Sequence, residues 1–353
     1  MNAFCTIVTP SHLHLAKALA ESLEASGNSE TLFILLISEN NPQEDIYKNV
    51  KICQIEQLAK ELPQNICWYF DNFELCNALK PFIVKWVFQQ GFEKVIFLDA
   101  DIYVVGSFAP VWQTLDAYSL LLTPHHICPP PLKLTYANES VVADLGIFNG
   151  GFAGWRSSEK ALEMLDWMCT RFPIYGFCDQ KNGMFVDQKL IPLLLQYYAN
   201  YIGISSNPCL NIAFWNAHER NVSYLEKVYL INDNPVIFFH MSGFRLAKPE
   251  LPCSYLPSKQ NKDILNNAPW MSLLLEDYGN LIKKFIEQDS KDQRLRVFTD
   301  FNGFKLTRSM RYMLFRKGQL SRKDPEVWKL IVREFITEKL KYVKRYLFPY
   351  REK

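Results

Sequence analysis

The chain alternates short apolar runs with segments in which apolar residues recur at helical spacing. The apolar runs predict strands at residues 4–9, 31–38 and 94–98. The helical spacing predicts helices at residues 10–26 and 77–90. Strands that alternate with helices are typical of α/β folds. We therefore predict an α/β fold with a mainly parallel, Rossmann-like sheet flanked by helices.

One apolar run, residues 95–105, contains two carboxylates, Asp99 and Asp101. Such a run is typical of a strand buried on both faces, and ligands of parallel sheets bind where strands end at their carboxyl edge. Two oxygen ligands on a short turn suit Mg²⁺ or Mn²⁺, which leave coordination positions for substrate phosphates. A solvated turn, the alternative, does not explain apolar residues on both sides. The pattern predicts a divalent metal site that binds a diphosphate.

Three later segments add candidate chemistry. Residues 146–155 are rich in glycine, which allows either close approach to a ligand or tight strand packing. Asp187 precedes a predicted helix and is either its N-cap or a functional carboxylate. The apolar run at residues 236–244 contains His240. A single histidine there is usually structural. Because Asp99 and Asp101 also lie at the end of a predicted strand, the pattern favours His240 as a third metal ligand.

Composition bounds the size of the core and the choice of partner. With 353 residues, 48% hydrophobic and 14% aromatic, the chain is long enough for one large domain with an appendage, or for two domains. Residues 304–353 contain 15 Lys or Arg against 5 Asp or Glu, although the whole chain carries only +2. This basic tail predicts either contact with an anionic membrane surface or packing on the catalytic domain. We expect no nucleic acid partner, because no binding motif accompanies the charge.

The cysteines and the N-terminus bear on the compartment. Nine cysteines occur singly, without a Cys-x-x-Cys pair, so neither disulfides nor zinc is predicted from them. No basic leader precedes the first strand, and no window is long and apolar enough to span a bilayer. We expect a cytoplasmic protein, peripheral on the inner face of the membrane if the tail binds lipid.

Phosphate-binding glycine motifs of the dinucleotide and P-loop types are absent from the sequence. Instead, the segments above resemble the GT-A-fold nucleotide-sugar glycosyltransferases, closest to family 8 and its bacterial relatives. The resemblance spans residues 1–265 and rests on four motifs in order, Asp99-Ala100-Asp101, Phe148-Asn149-Gly150-Gly151, Asp187-Gln188 and His240-Met241-Ser242-Gly243. It implies a GT-A catalytic domain over residues 1–265 and a helical C-terminal region over residues 266–353.

The resemblance also implies residue roles. Asp99, Asp101 and His240 would hold Mn²⁺ or Mg²⁺, which binds the donor diphosphate. Asp187 and Gln188 would lie near the anomeric carbon. Retention of configuration, with Gln188 behind the sugar, is preferred over inversion with Asp187 as general base. Further donor contacts are implied for Thr9, Lys80, Ala100, Asn149, Gly150, Gly151 and Gly243.

Other parts of the sequence depart from the family pattern. The Lys248-Pro249 pair lies five residues after Gly243 rather than three, so Lys248 is a phosphate candidate for which Arg245 or Arg220 could substitute. Thr9 begins a segment without the acidic residues that read the nucleobase, and a UDP-sugar is only the favoured donor. The mixed polar and aromatic segment with Trp215, Asn216 and His218 predicts an acceptor or donor-sugar loop.

We expect transfer to a glycan or lipid-linked acceptor in surface polysaccharide synthesis. Three alternatives stay open from the sequence. A sugar nucleotidyltransferase would usually show a glycine-rich basic loop after the first strand. A glycoside hydrolase would hold its carboxylates on opposite faces of the sugar. A non-catalytic sugar-binding protein of the same fold would bind a nucleotide without consuming a donor.

Overall fold

The computed structural model describes residues 1–38, 49–58, 60–63 and 66–289, with a few residues between 300 and 340. The chain divides into two compact units. The first consists of Met1–Glu61 and Cys76–Leu295, and the second of Leu62–Leu75 and Arg296–Lys353. The aspartates and His240 lie in the first unit.

In the described part of the chain, the strands are β1 (Asn2–Val8), β2 (Thr31–Leu36), β3 (Val50–Gln54), β4 (Lys94–Leu98), β5 (Ile102–Val104), β6 (Leu120–Pro124), β7 (Phe148–Arg156), β8 (Cys178–Asp179), β9 (Met184–Phe185), β10 (Ile202–Ile204), β11 (Ser223–Leu225), β12 (Val228–Ile231), β13 (Asn234–Pro235), β14 (Phe238–His240), β15 (Asp300–Phe301) and β16 (Phe304–Lys305). The α-helices are α1 (Leu13–Ala25), α2 (Ile66–Tyr69), α3 (Asn72–Gln89), α4 (Ala109–Thr114), α5 (Glu139–Leu145), α6 (Glu159–Tyr175), α7 (Ile191–Tyr198), α8 (Ser258–Asn267) and α9 (Met271–Asp289). Short 3-10 turns include Pro10–His12 and Ala217–Glu219.

The first unit is built on a sheet that has seven strands among the described residues, in the order β10-β6-β7-β4-β1-β2-β3. β7 runs antiparallel to both of its neighbours, and all other adjacent strands are parallel. β1, β2 and β4 are buried along almost their whole length, as expected for apolar strands with both faces covered. The predicted mainly parallel α/β fold is confirmed.

The predicted elements differ from the observed ones mainly at their ends. β4 occupies the predicted residues 94–98. The helix predicted at residues 77–90 begins earlier, at Asn72, because Asp71 and Glu74 form a capping box. In this box the Asp71 carboxylate accepts from the Glu74 amide at 2.9 Å, and the Glu74 carboxylate accepts from the Asp71 amide at 3.0 Å.

The predicted domain boundary at residue 265 falls inside α8. α9 follows it, belongs to the first unit and packs against α1. Leu274, Tyr278 and Ile282 of α9 are buried in the same hydrophobic core as Leu19 of α1. The structure thus gives residues 271–282 the same core as the sheet.

The strand predicted at residues 236–244 is β14, which lies outside the seven-stranded sheet. β14 pairs antiparallel with β5, so that His240 lies opposite Ile102 and Phe238 opposite Val104. The Met241 amide donates to the Asp101 carbonyl at 2.9 Å. Since β5 begins one residue after Asp101, this pairing brings His240 beside both aspartates.

Most of the predicted basic tail lies outside the described residues. The part outside includes the apolar residues that could form one helical stripe for membrane contact, Trp328, Ile331, Phe335, Tyr342 and Tyr346. Within the second unit, β15 pairs antiparallel with β16. Ile336 and Leu340 are helical and exposed. Among the described residues, no helix combines the length and the apolar character needed to cross a membrane.

Candidate functional site

Asp99 and Asp101 lie on the turn between β4 and β5, at the carboxyl end of a central strand. The Asp99 amide donates to the Gly151 carbonyl at 2.8 Å, and the Ile102 amide donates to the Asp99 carbonyl at 3.1 Å. These bonds fix the turn against β7. The two carboxylates stay partly open, with 34% of the Asp99 side chain and 29% of the Asp101 side chain exposed.

His240 completes a group of three potential metal ligands. One ligand atom from each of Asp99, Asp101 and His240 lies within 4.8 Å of the others. His240 Nε2 is 3.2 Å from Asp101 Oδ1. Two carboxylate oxygens and one imidazole nitrogen on a partly open surface fit Mn²⁺ or Mg²⁺, with coordination positions left for a ligand. The structure therefore brings the three predicted ligands together.

The charges in this group are strongly coupled. Burial lowers the pKa of His240, but the adjacent Asp101 carboxylate raises that pKa by more, so the net shift is upward. Burial raises the pKa of Asp99, and the like charge of Asp101 raises it further, against the opposing effect of Lys80. Two carboxylates held this close create a local demand for positive charge, which a divalent cation would satisfy.

Two asparagines orient the His240 ring. His240 Nδ1 is 3.1 Å from Asn149 Oδ1 and 3.3 Å from Asn211 Oδ1. The Gly151 amide donates to Asn149 Oδ1 at 3.0 Å, which identifies that atom as the oxygen. Nδ1 must then carry the proton, and Nε2 is left as the ligand atom toward Asp101. The sequence analysis did not identify Asn211. The feature that could have identified it is a polar residue directly before an apolar run.

Gly150 and Gly151 are required by close approach of other side chains. A Cβ on Gly151 would lie 2.3 Å from Cε1 of His240. A Cβ on Gly150 would lie 2.4 Å from Asp187 Oδ2. The glycine pair thus lets the backbone of β7 pass directly beside both groups. The structure shows tight packing of the two glycines against side chains of the same chain, and close approach to a ligand stays a prediction.

Lys80 connects the aspartates to Asp187. Its ammonium nitrogen lies 2.8 Å from the Gly150 carbonyl, 3.0 Å from Asp187 Oδ2 and 3.4 Å from Asp99 Oδ1. Burial lowers the pKa of Lys80, but Asp187 and Asp99 raise it by more. Lys80 is therefore a buried cation beside the candidate metal ligands.

Asp187 does not cap a helix through its side chain. α7 begins at Ile191, and the Asp187 backbone carbonyl accepts from the amides of Leu190 and Ile191. The Asp187 carboxylate instead points to Lys80, with its side chain only 2% exposed. Gln188 lies next to it, and its Oε1 is buried without a hydrogen-bond partner. A buried oxygen of this kind is available to a bound ligand.

The segment after β1 approaches the aspartates. Thr9 is buried, and its hydroxyl lies 3.1 Å from His12 Nδ1 and 3.0 Å from Ser11 Oγ. Burial lowers the pKa of His12, while the charge of Asp101 raises it. Ala100 is buried in the core between the aspartates. His12, to which the sequence analysis assigned no role, is thus a neighbour of the site.

Part of the predicted acceptor loop is a structural support. Trp215 is 8% exposed, and its ring stands edge-on to His240 at a centroid distance of 5.2 Å. Asn216 is fully buried and bonds to the Ala213 amide and to the carbonyls of His125 and Asn211. The polar character of this segment, which suggested a sugar-binding loop, is explained in part by these internal hydrogen bonds.

The remaining candidates are distributed around the site. Arg220 is buried, pairs with Glu219 at 3.2 Å and so does not present a free cation to phosphate. Lys248 is exposed in a turn, in which its backbone amide donates a hydrogen bond to the Arg245 carbonyl at 2.9 Å. Gly243 adopts φ +80° in the turn after β14, where a Cβ would lie 2.7 Å from Cys253 Sγ. His218 belongs to a separate cluster with Glu219 and His126.

No family model matches this chain. The curated relatives include two uncharacterized proteins of Bacillus subtilis (strain 168). YfnF is 25% identical over 252 residues, which cover 70% of this chain and 82% of YfnF. YfnD is 24% identical over 255 residues, which cover 69% of this chain and 78% of YfnD.

Several solved structures are also similar to this chain. The galactosyltransferase LgtC, in complex with donor and acceptor sugar analogues, has 15% identity and a TM-score of 0.45, over 76% of this chain and 96% of that one. The glycosyltransferase GlyE of Streptococcus pneumoniae TIGR4 has 14% identity and a TM-score of 0.43, over 83% of this chain and 66% of GlyE. The bifunctional glycosyltransferase WbbM has 12% identity and a TM-score of 0.45, over 78% of this chain and 51% of WbbM.

Proposed function

We propose that this protein is a metal-dependent glycosyltransferase of the GT-A type that transfers a sugar from a nucleoside-diphosphate sugar. The observation on which the proposal rests is the meeting of Asp99, Asp101 and His240 beside the buried pair of Lys80 and Asp187. A metal site alone would fit many activities. A metal site next to a buried cation and two close-packed glycines fits a diphosphate bound beside a sugar.

The chemistry follows from the charges that develop as the glycosidic bond to the diphosphate breaks. A divalent ion held by Asp99, Asp101 and His240 would stabilise negative charge on the leaving phosphate as a Lewis acid. Lys80 adds fixed positive charge 3.4 Å from Asp99. Asn149 keeps the His240 ring in the tautomer that a metal ligand needs.

The surroundings of Asp187 and Gln188 support retention of anomeric configuration. A general base must reach the acceptor hydroxyl within hydrogen-bond distance. The Asp187 carboxylate is almost fully buried and paired with Lys80, which does not suit that role. Asp187 Oδ1 and Gln188 Oε1 are both buried without a hydrogen-bond partner, but the charge of the Asp187 carboxylate is already neutralised by Lys80. We infer that Gln188 lies behind the sugar and that Asp187 holds Lys80 in place.

We further propose a donor, an acceptor and a cellular location. A UDP-sugar is the favoured donor, and a glycan or lipid-linked acceptor in surface polysaccharide synthesis is the favoured acceptor. We propose a cytoplasmic enzyme whose basic tail at residues 304–353 binds the anionic inner face of the membrane. The excess of Lys and Arg over Asp and Glu in this tail supports the membrane contact.

Thermal stabilisation by nucleoside diphosphates, each with and without Mn²⁺, tests the donor site directly. UDP, or another single nucleotide, is expected to raise the melting temperature only with metal. Asp101→Asn and His240→Asn should abolish this shift. Asp116→Asn is the control, because Asp116 is 69% exposed and contacts Lys94. A shift that needs no metal, or that survives both site variants, would contradict the proposal.

Two further measurements test the finer statements. The anomeric configuration of the sugar released or transferred from a UDP-sugar, followed by NMR, should match that of the donor. Sedimentation with vesicles tests the tail: the full chain should bind vesicles that contain phosphatidylglycerol and not vesicles of phosphatidylcholine alone. Loss of residues 304–353 should remove this binding, and unchanged binding would assign no membrane role to the tail.

A further inference from the structure

A second cluster of metal-binding side chains lies apart from the aspartates. His126 follows β6, whereas His218 and Glu219 belong to the 3-10 turn Ala217–Glu219, about 90 residues further along the chain. One ligand atom from each lies within 4.8 Å of the others. The rings of His126 and His218 have their centroids 5.3 Å apart. The fold thus brings two imidazoles and a carboxylate to one point.

The ring nitrogens of this cluster are buried and unsatisfied. Nδ1 and Nε2 of both His126 and His218 are inaccessible to solvent and make no hydrogen bond of ordinary geometry. A buried polar atom without a partner typically costs about 1–3 kcal/mol, so such atoms need an explanation. A cation at the shared centre would bind one nitrogen of each ring and so would explain two of these four atoms.

Burial favours the neutral form of both imidazoles, which is the form that binds a metal. Burial lowers the pKa of His126 and that of His218, which keeps the rings neutral near pH 7. The backbone carbonyls of Ala137 and Trp215 act in the opposite sense and raise the pKa of His126 and His218, respectively. Metal-bound histidines usually direct their second ring nitrogen to such a carbonyl.

The Glu219 carboxylate is held in place by backbone amides. It accepts from the Ile127 amide at 3.1 Å and from the Cys128 amide at 2.8 Å. Arg220 lies 3.2 Å from Glu219 Oε1 and neutralises part of its charge. Glu219 therefore closes the loop that carries His126 and places its oxygens beside the two rings. The remaining lone pairs of a carboxylate with these contacts can still bind a metal.

We propose that His126, His218 and Glu219 form a second metal site, specific for Zn²⁺ or a similar transition metal. Zn²⁺ binds nitrogen at about 2.0–2.1 Å in tetrahedral geometry, which places ligand atoms about 3.3 Å apart. Atoms that already lie within 4.8 Å need to move by only about 1.5 Å or less to reach that spacing. Three protein ligands leave the fourth position to water.

The two sites prefer different metals. Asp99, Asp101 and His240 offer mainly oxygen, which suits Mg²⁺ and Mn²⁺, whereas the second site offers mainly nitrogen. The second ion would link the loop after β6 to the segment that carries Trp215. Trp215 stands against both His125 and His240. Zn²⁺ at the second site would thus stabilise the segment whose Trp215 ring packs against His240. This inference uses no residue of the proposed donor site and stands apart from the proposed function.

Cobalt binding by the full-length, untagged, chelator-treated protein tests the proposal. Co²⁺ is added in the presence of excess Mg²⁺, and the absorption typical of tetrahedral Co²⁺ is measured together with bound metal by mass spectrometry. We expect wild type and His240→Asn to bind one such ion per chain. His126→Gln and His218→Gln should each bind Co²⁺ at least ten-fold more weakly, and Zn²⁺ should no longer raise their melting temperature.

A ligand exchange keeps the test decisive if a glutamine variant fails to fold. His218→Cys replaces nitrogen by a thiolate that also binds Zn²⁺ and Co²⁺. It should retain the ion and add the thiolate-to-cobalt charge-transfer band. Absence of tetrahedral Co²⁺ in wild type, loss of the signal in His240→Asn, or its persistence without the new band in His218→Cys would each overturn the proposal.

Discussion

The ammonium nitrogen of Lys80 lies 3.0 Å from Oδ2 of Asp187, a residue 107 positions further along the chain. Only 9% of the Lys80 side chain and 2% of the Asp187 side chain are exposed. Water therefore solvates neither charge well, and each depends on the other. The pair joins α3 to the segment before α7 directly beside Gly150, so the arrangement of the site and the stability of the fold are linked.

Replacement of Lys80 by methionine should strongly destabilise the protein, because Asp187 would keep a buried charge without a partner. We expect Lys80→Met to lower the free energy of unfolding by about 3–5 kcal/mol, measured by urea denaturation. The matched control is Lys85→Met, since Lys85 is more exposed and pairs with Glu61 and Asp166 nearer the surface. Its expected loss is about 1 kcal/mol or less.

A double replacement separates the charge effect from lost packing. Lys80→Met combined with Asp187→Leu removes both charges and should recover part of the stability lost in Lys80→Met. Equal losses for Lys80→Met and Lys85→Met, or additive losses in the double variant, would show that the buried pair is not the source of the effect.

A methyl group on Gly151 should displace the His240 ring. Its Cβ would lie 2.3 Å from Cε1 of His240, and Nδ1 of that ring is held by Asn149. We expect Gly151→Ala to weaken Mn²⁺ binding at least ~10-fold by titration calorimetry, since ligand orientation is tightly coupled to affinity. Gly154→Ala is the control, because a Cβ there would meet only the flexible Leu115 side chain at 3.2 Å. Equal Mn²⁺ affinity in both variants would refute the prediction.

The oxygen of Asn149 should matter more than the shape of its side chain. Asn149→Leu removes the acceptor 3.1 Å from His240 Nδ1, whereas Asn149→Asp keeps an oxygen there. Loss of such an orienting group typically reduces metal affinity about 10–100-fold. We therefore expect the Mn²⁺ affinity of Asn149→Leu to fall about 10–100-fold, and that of Asn149→Asp to stay close to the wild-type affinity. The opposite ranking would show that Asn149 does not orient the ring.

Cys53 should resist alkylation in the folded protein. The side chain is 2% exposed, and burial raises the pKa of its thiol to about 12. At about pH 8.5, where an ordinary thiol is half ionised, Cys53 should therefore hold only a trace of reactive thiolate. Iodoacetamide labelling followed by peptide mass spectrometry should modify the exposed Cys128 rapidly and Cys53 only after unfolding in guanidinium. Equal labelling rates in the folded state would contradict the burial of Cys53.

The sequence alone determined the local features of this protein. The apolar runs defined β1, β2 and β4, because strands buried on both faces need continuous apolar residues. The same local logic placed Asp99 and Asp101 on a turn after a strand and His240 at the end of another. Neighbours in the chain are sufficient for these conclusions, since periodicity and strand ends are local properties.

Only the tertiary structure decided which distant groups meet. It paired Asp187 with Lys80 rather than with a helix end, turned Asn216 inward and took β14 out of the main sheet. It also brought His126 to His218, which no local pattern connects. These contacts depend on desolvation and on pairing between segments far apart in sequence. Their energies arise only when the chain has folded, and so the residue order could not show them.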